Sequence, residues 1–424
     1  MPTLLIVALG LTFASPTNAD DSDKELDPDR LEWAALPAVA GNSDLGFIFG
    51  GLLMLAKFDE EYRPYHWRGQ AITTMSLKDG PEGAEIPFHN HFITLNFPQV
   101  LGSRARLYAN AGFFKTITGG YYGLGNDSND SLDGIKRRNQ YRLMGPYANL
   151  AVRAPIVETL TFFVSAGFRH SFIDPYAGSK LDEDSMEPLK RDESIEVTPS
   201  IPPTSRAEEQ IKVLGTSDHA RIDFSSGIVF DTRNDETNPR SGSYNEISLR
   251  GSPGAMTATE HLYFGLNAQL RHYLSIYDDY LVLAGRLTLD VLYGRVPFYE
   301  LAKVGGLQPY TGFGGHRGVR GIPAGRYHGK VKAIGSLSLR SMFYRFKIKT
   351  TRFALGTGIF IDAGRLWADT KKRPDLDGKK AGIKFGTGGG VRLLWGKTFL
   401  ICVDVAYSPD ANPIGFYVDL GHGF

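Results

Sequence analysis

The sequence predicts an all-β protein, a transmembrane antiparallel β-barrel of about sixteen strands with long external loops and one loop folded into the lumen. Three observations predict it. From Glu32 onward nearly every segment alternates apolar and polar residues for roughly ten residues between turn residues, the period of two that marks a half-buried strand. The long connections between these segments fall at alternate joints only. The last stretch sets Phe416, Val418 and Leu420 against Gly415, Tyr417, Asp419 and Gly421 and stops on Phe424, as a barrel-closing strand with an interfacial aromatic does.

Composition narrows the class further. The 424 residues carry 47 Lys+Arg against 46 Asp+Glu, so no bulk charge recruits nucleic acid, and none is expected as a partner. The 49 glycines, 26 phenylalanines and 20 tyrosines favour strands over helices. Cys402 is alone, which excludes an internal disulfide. Beyond the N-terminus no apolar run approaches the roughly 20 residues of a spanning helix. Leu4 to Phe13 is an apolar core of signal-peptide length, and Thr17-Asn18-Ala19 precedes the acidic Asp20-Asp21, so residues 1–19 read as an export signal cleaved after Ala19. That segment departs from the usual pattern in having no Lys or Arg before its apolar run. Residues 20–31 form a short charged leader and 32–424 the barrel.

Taken in order, the alternation places strands at 32–41, 47–58, 68–79, 88–97, 104–117, 140–153, 158–172, 219–231, 243–252, 259–274, 280–293, 331–344, 351–363, 383–395, 398–407 and 414–424. The first carries Pro37, which lacks an N–H and suits an edge. In 88–97, His89 and His91 share a face with Ile93, Leu95 and Phe97. In 280–293, Leu281, Leu283, Leu287, Leu289 and Val291 oppose Arg286, Thr288 and Asp290. The inward face of 331–344 after Lys332 reads Ser336, Ser338 and Arg340. In 351–363, Phe353, Leu355, Ile359 and Ile361 oppose Gly356, Gly358 and Asp362; in 398–407, Phe399, Ile401, Val403 and Val405 oppose Thr398, Cys402 and Asp404. Arg286, Asp290, Arg340, Lys384, Arg392, Asp404 and Asp419 then give the lumen charges of both signs.

Loop lengths separate a membrane barrel from a soluble sandwich, because a barrel has short periplasmic turns and long external loops. The long connections 118–139, 173–218, 294–330 and 364–382 follow the fifth, seventh, eleventh and thirteenth strands, hence one side. A sandwich has no reason for that segregation.

The connection from Val296 to Gly329 carries the densest signal, with Gly305-Gly306 and then Gly314-Gly-His-Arg-Gly-Val-Arg-Gly321. Folding this loop into the lumen offers Arg320 a carboxylate, and Asp362 on the small-residue face is the candidate. Once desolvated, such a pair costs roughly 3 to 5 kcal/mol to break from one side. The alternative is that both residues are independently hydrated in a wide lumen.

Val319-Arg320-Gly321, with Tyr122 to Asn126, Phe230 to Asn234, Pro239 to Gly242, Phe360 to Gly364 and Trp367, Gly388 to Arg392 and Asp404 to Tyr407 in the same order, resembles the BamA/TamA-like superfamily of outer-membrane assembly barrels, the bacterial surface antigen family, over residues 32–424. The resemblance implies the same Arg320-to-Asp362 lock. It also implies that the closing strand with Phe416, Gly421 and Phe424 is read by the cell's barrel-insertion machinery. Two departures stand out. The glutamate that the family commonly carries in its twelfth strand is absent, and no periplasmic polypeptide-binding modules precede the barrel, so a separate periplasmic partner would have to supply client recruitment.

Other candidates carry less. His89 and His91 on an apolar face suggest interfacial placement rather than a metal site. Asp127, Asn129 and Asp133-Gly134 hint at a calcium loop, but Lys136-Arg137-Arg138 stand where its closing carboxylate belongs. Gly386 to Gly390 precede no helix, as a nucleotide loop would require. No Gly-x-Ser-x-Gly elbow or scattered triad suggests catalysis, and no cofactor or metal is expected. Loop 173–218, rich in Asp, Glu, Lys and Pro, reads as a disordered surface flap. Three functions follow: a barrel in the bacterial outer membrane, in contact with its lipid and with both termini periplasmic, that assists insertion or transport of proteins or lipids through a weak seam between first and last strands; a passive or selective channel; and a barrel enzyme, for which no constellation is visible.

Overall fold

A computed structural model describes residues 29–42, 45–80, 83–100, 102–128, 137–186, 213–254, 261–277, 280–348, 351–395, 399–411 and 414–424. The export signal and most of the leader lie outside the described residues. Sixteen long strands form one antiparallel wall: β1 (Leu31–Asn42), β2 (Gly46–Asp59), β3 (Tyr62–Gly80), β4 (Phe88–Phe97), β5 (Arg106–Gly120), β6 (Gln140–Val157), β7 (Leu160–Pro175), β8 (His219–Asp231), β9 (Gly242–Pro253), β10 (Leu262–Tyr277), β11 (Leu281–Gly294), β12 (Val331–Ile348), β13 (Thr351–Trp367), β14 (Lys384–Trp395), β15 (Phe399–Tyr407) and β16 (Gly415–Leu420). Each pairs with its neighbours in sequence, and a short Gly83–Glu85 segment extends the end of β3. β16 meets β1 at a single described pair, Tyr417 opposite Asn42, whereas β1 and β2 pair from Leu31–Lys57 to Asn42–Gly46.

The alternation in sequence is an alternation of faces. Leu287 is 63% and Ile359 60% exposed on the outer face, while Arg286, Asp290 and Asp362 are buried on the inner one. A sandwich would cover those outer faces with a second sheet; here they are left for lipid. Among the described residues no helix is long and apolar enough to cross a membrane. The joints after β5, β7, β11 and β13 are long and share one end, the long-loop end; two-residue turns such as Glu60–Glu61 and Glu158–Thr159 mark the other, the short-turn end.

Two expectations are corrected. The closing strand stops at Leu420 instead of Phe424, because the N–H of Gly421 donates to the Leu400 carbonyl at 2.7 Å and Gly421 then takes φ +90°, a left-handed value that ends the extended run. The stretch 173–218 is ordered where it is described, with β7 running to Pro175 and a helix, α1 (Lys180–Met186), after it. There Leu181 is buried, Arg138 donates twice to Glu183 at 2.6 and 2.7 Å, and the Tyr121 hydroxyl donates to Asp184 at 2.9 Å. Its acidic residues find partners in the loop after β5, which composition cannot show. Residues 187–212 lie outside the described residues.

The core lies inside the ring, at its long-loop end. Two further short helices, α2 (Phe298–Leu301) and α3 (Pro374–Asp377), belong to the loops after β11 and β13. Phe298 is fully buried and meets Tyr121 and Tyr141 edge-on, with centroids 5.7 and 4.8 Å away. Such aromatic pairs add about 0.5–1.5 kcal/mol each to the burial of the rings. Loop side chains therefore fill space that a porin leaves to water.

Candidate functional site

The loop after β11, residues 295–330, descends from this apolar cap along the inner wall. Past α2, a two-residue pairing of Lys303–Val304 with Tyr310–Thr311 turns the chain, and Val304, Phe313, Val319 and Ile322 pack with Leu366 of β13. The glycines between let main-chain donors reach wall carboxylates: the Gly305 N–H donates to Asp290 at 2.8 Å and the Leu307 N–H to Glu246 at 2.6 Å. A chain of alternating charge then crosses the upper lumen. Arg221 of β8 donates to Glu300 at 2.8 Å, Arg250 of β9 to Asp290 at 2.8 Å, and Lys332 of β12 reaches Asp290 at 3.2 Å. Burial alone would raise the Glu300 carboxyl, but Lys303, Arg221 and Arg250 hold it well below the usual carboxylate range.

Arg320 stands at the bottom of the loop. Its Nε and Nη2 donate to the two carboxylate oxygens of Asp362 at 2.7 and 2.9 Å, and its own backbone N–H adds a third bond at 3.1 Å. The guanidinium lies 3.3 Å over the Phe360 ring. The structure thus brings the two together, and both are buried. A second carboxylate comes from β15, since Asp404 is 3.9 Å from Arg320 and accepts from Arg392 of β14 at 2.7 Å.

The sequence permits this approach through particular small residues. A Cβ on Gly386 of β14 would lie 1.9 Å from the Arg320 carbonyl, so the glycine-rich run of β14 clears the wall for the loop. Gly321 has φ +93°, and a Cβ there would strike the backbone at Tyr407 and Ser408. Val319 beside them is fully buried. The Gly321 N–H donates to the Tyr417 hydroxyl of β16 at 3.1 Å, which ties the loop to the closing strand. His316 makes a second tie, 3.1 Å from Asp419. Burial, with Arg320 and Arg317 close by, pushes its imidazole well below its ordinary value.

Phe424 is the clearest departure from expectation. It is only 6% exposed, packed against Tyr273 and Ala284 on the inner wall rather than set in an outer girdle. Its ring lies 4.8 Å from the guanidinium carbons of both Arg286 and Arg340, and Arg340 donates to its carbonyl at 3.0 Å. Arg286 also donates to Arg317 in the loop at 2.7 Å and to Ser336 at 2.8 Å. Buried guanidinium groups seek both acceptors and aromatic faces. The turn at Gly421 therefore carries Phe424 inward, to two cations facing the lumen, while Phe416 before the turn stays on the outer face.

Other expected residues fall as follows. Lys384 is at the long-loop end of the inner wall, 3.3 Å from Asp410. His89 and His91 are on the outer face of β4 and hydrogen-bond to one another at 3.1 Å. Asp127 is described, but Asn129, Asp133 and Gly134 lie outside the described residues; no group of three or more potential metal ligands occurs among those described. Strand parity points Arg221 and Arg250 inward as it does Lys332, but does not single them out as partners of these carboxylates. Glu300 sits in a loop with no periodicity, and nothing in the sequence singles it out.

A family model, the Omp85 superfamily domain, matches residues 93–424. The chain belongs to the Omp85 superfamily. It is an outer-membrane β-barrel of the BamA/TamA-like kind that the ordered motifs indicated. This Omp85 barrel is similar to BamA from Haemophilus ducreyi lacking POTRA domains 1-3, at 15% identity and a TM-score of 0.58, over 92% of this chain and 70% of that one. It is also similar to CdiB from Escherichia coli, at 11% identity and a TM-score of 0.56, over 93% of this chain and 67% of that one. At these identities the likeness is one of fold. Among curated proteins none matches the sequence.

Proposed function

We propose that this Omp85 barrel assists the insertion or transport of polypeptides or lipids at the outer membrane by parting its wall between β16 and β1, with the loop bearing Arg320 as the brace that holds the wall shut. The carrying observation is the seam: one described pair joins Tyr417 to Asn42, where β15 and β16 pair from Ile401–Leu420 to Ala406–Gly415. With one pair among its described residues, this joint has fewer main-chain hydrogen bonds to break than its neighbours and opens at lower cost. The brace reaches that joint through Gly321 and Tyr417. The long-loop end faces the exterior and the short-turn end, with both termini, the periplasm. A separate periplasmic protein would deliver clients, and the barrel's own assembly would depend on the cell's insertion machinery. An open channel fits less well, because Arg286, Asp290, Arg392 and Asp404 are engaged by the loop, the tail or one another.

The test is a reversible lock. With Asn42→Cys and Tyr417→Cys, the protein in liposomes should speed the folding of a small unfolded barrel when reduced and lose that effect when the disulfide forms. A control pair across β15 and β16, Val403→Cys with Val418→Cys, should leave the rate unchanged. Equal rates in the oxidised and reduced seam variant would overturn the proposal.

A further inference from the structure

The outer face of β1 to β5 carries a groove of about 810 Å³ that the lumen chemistry does not use. Register builds it. Ala35, Leu53, Ala71, Ile93 and Ala111 follow one another across five strands, so three alanines alternate with two larger side chains. Gly51 in the next row deepens the floor. A membrane-facing wall normally presents bulky apolar side chains, and this row gives three of its five positions to alanine.

Toward the long-loop end the same face becomes polar. The Thr73 hydroxyl is 2.6 Å from His91 Nδ1, and His91 Nε2 is 3.1 Å from His89 Nδ1. One row above His91, Lys115 of β5 stands directly opposite His89. Among the described residues Lys115 forms no ion pair with any carboxylate. A cation at the edge of a lipid-facing wall is complementary to an anionic headgroup. His89 is the second residue of β4, at its outer end, so these groups lie at headgroup height, above the apolar band of roughly 25 Å. Ile93 and Leu95 continue below them at acyl-chain depth.

We propose that the groove binds a phosphorylated, multiply acylated lipid of the outer leaflet, with one acyl chain lying over Gly51, Ala71 and Ala111 and a phosphate held by Lys115 and the His89–His91 pair. Lys115, the imidazole donors and the groove are complementary to such a lipid at the right relative height. The inference rests on the orientation assigned above and is independent of seam opening.

The full chain in detergent micelles would be titrated with bisphosphorylated lipid A and with the same lipid stripped of its phosphates, and bound lipid counted by native mass spectrometry. The phosphorylated form should bind preferentially. Lys115→Ala should weaken it about fivefold, the worth of one cation near a phosphate surface, and His91→Ala should weaken it in the same direction. Lys347→Ala, at the short-turn end, should change nothing. Ala71→Phe should fill the floor and reduce binding of both lipids, with heat-dependent gel migration confirming that each variant is folded. Equal binding of the two lipids, or undiminished binding by folded Lys115→Ala, would overturn the proposal.

Discussion

Arg320 and Asp362 meet through two parallel N–H···O bonds of 2.7 and 2.9 Å inside a barrel whose other contents are apolar loop side chains and paired charges. Neither residue has solvent to fall back on, since Asp362 is fully buried and Arg320 nearly so. Losing one partner leaves the other charge stranded. Arg320→Ala or Asp362→Asn should therefore destabilise the loop's seat by roughly 3 to 5 kcal/mol, read as a lower temperature for heat-dependent gel migration. The exchange Arg320→Asp with Asp362→Arg should recover part of the loss, not all, because the backbone N–H of residue 320 also loses its acceptor. No recovery at all would show that the pair is not the source of the loss.

The lumen should conduct poorly. In planar bilayers the wild-type protein is expected to show no large stable pore, whereas removal of residues 297–329 should open one. Arg320→Ala should give brief openings between these extremes. A wide, steady conductance in the unmodified chain would contradict a loop-filled lumen.

Gly321→Ala should act like a weaker Arg320→Ala. A φ of +93° and the nearby backbone at Tyr407 and Ser408 leave no room for the methyl group. The expected cost is about 1–3 kcal/mol, detectable by the same gel assay and by faster proteolysis of the loop. A stable, protease-resistant Gly321→Ala variant would show that the turn accommodates a side chain.

Acid should loosen the cap at the long-loop end through His328. Burial, with Lys332 and Arg326 nearby, pulls this imidazole down to about 3, and neither ring nitrogen has a hydrogen-bond partner. The unfolded loop would take up a proton near pH 6.5 and the folded loop would not, so the folded state binds fewer protons in between. Its contribution is full above about pH 6.5 and falls by up to about 1.4 kcal/mol per unit as pH drops toward 3. Replacing His328 with Phe should remove this contribution, so the wild-type-minus-variant difference in melting temperature should fall steadily as pH drops across that range; a difference that stays constant would assign the acid sensitivity to other groups.

A tryptophan at position 424 distinguishes the two placements of the C-terminal aromatic. In the lumen, between Arg286 and Arg340, it should escape quenching by lipids brominated on their acyl chains. In a girdle it would be quenched strongly. Phe424→Ala should lower stability by roughly 3 kcal/mol, the scale for truncating a buried ring.

Much of this architecture is legible in the chain alone, because a strand between lipid and lumen must alternate every second residue. That rule placed Leu287 and Ile359 outside, Asp290 and Asp362 inside, and every long loop at one end. The glycine-rich segment around Arg320 was legible for a related reason: a loop that approaches a wall closely needs residues without side chains. What the period of two cannot carry is where the chain goes once it leaves the sheet. Nothing in Gly421 to Phe424 says that the aromatic turns inward, since the two arginines that draw it there come from β11 and β12, more than eighty residues away in sequence. Glu300 and the ordered α1 were hidden in the same way, their partners lying on other loops. Local alternation determined the wall, which each strand encodes for itself; only the tertiary structure decided what fills it, because buried charges and rings choose partners by distance in space.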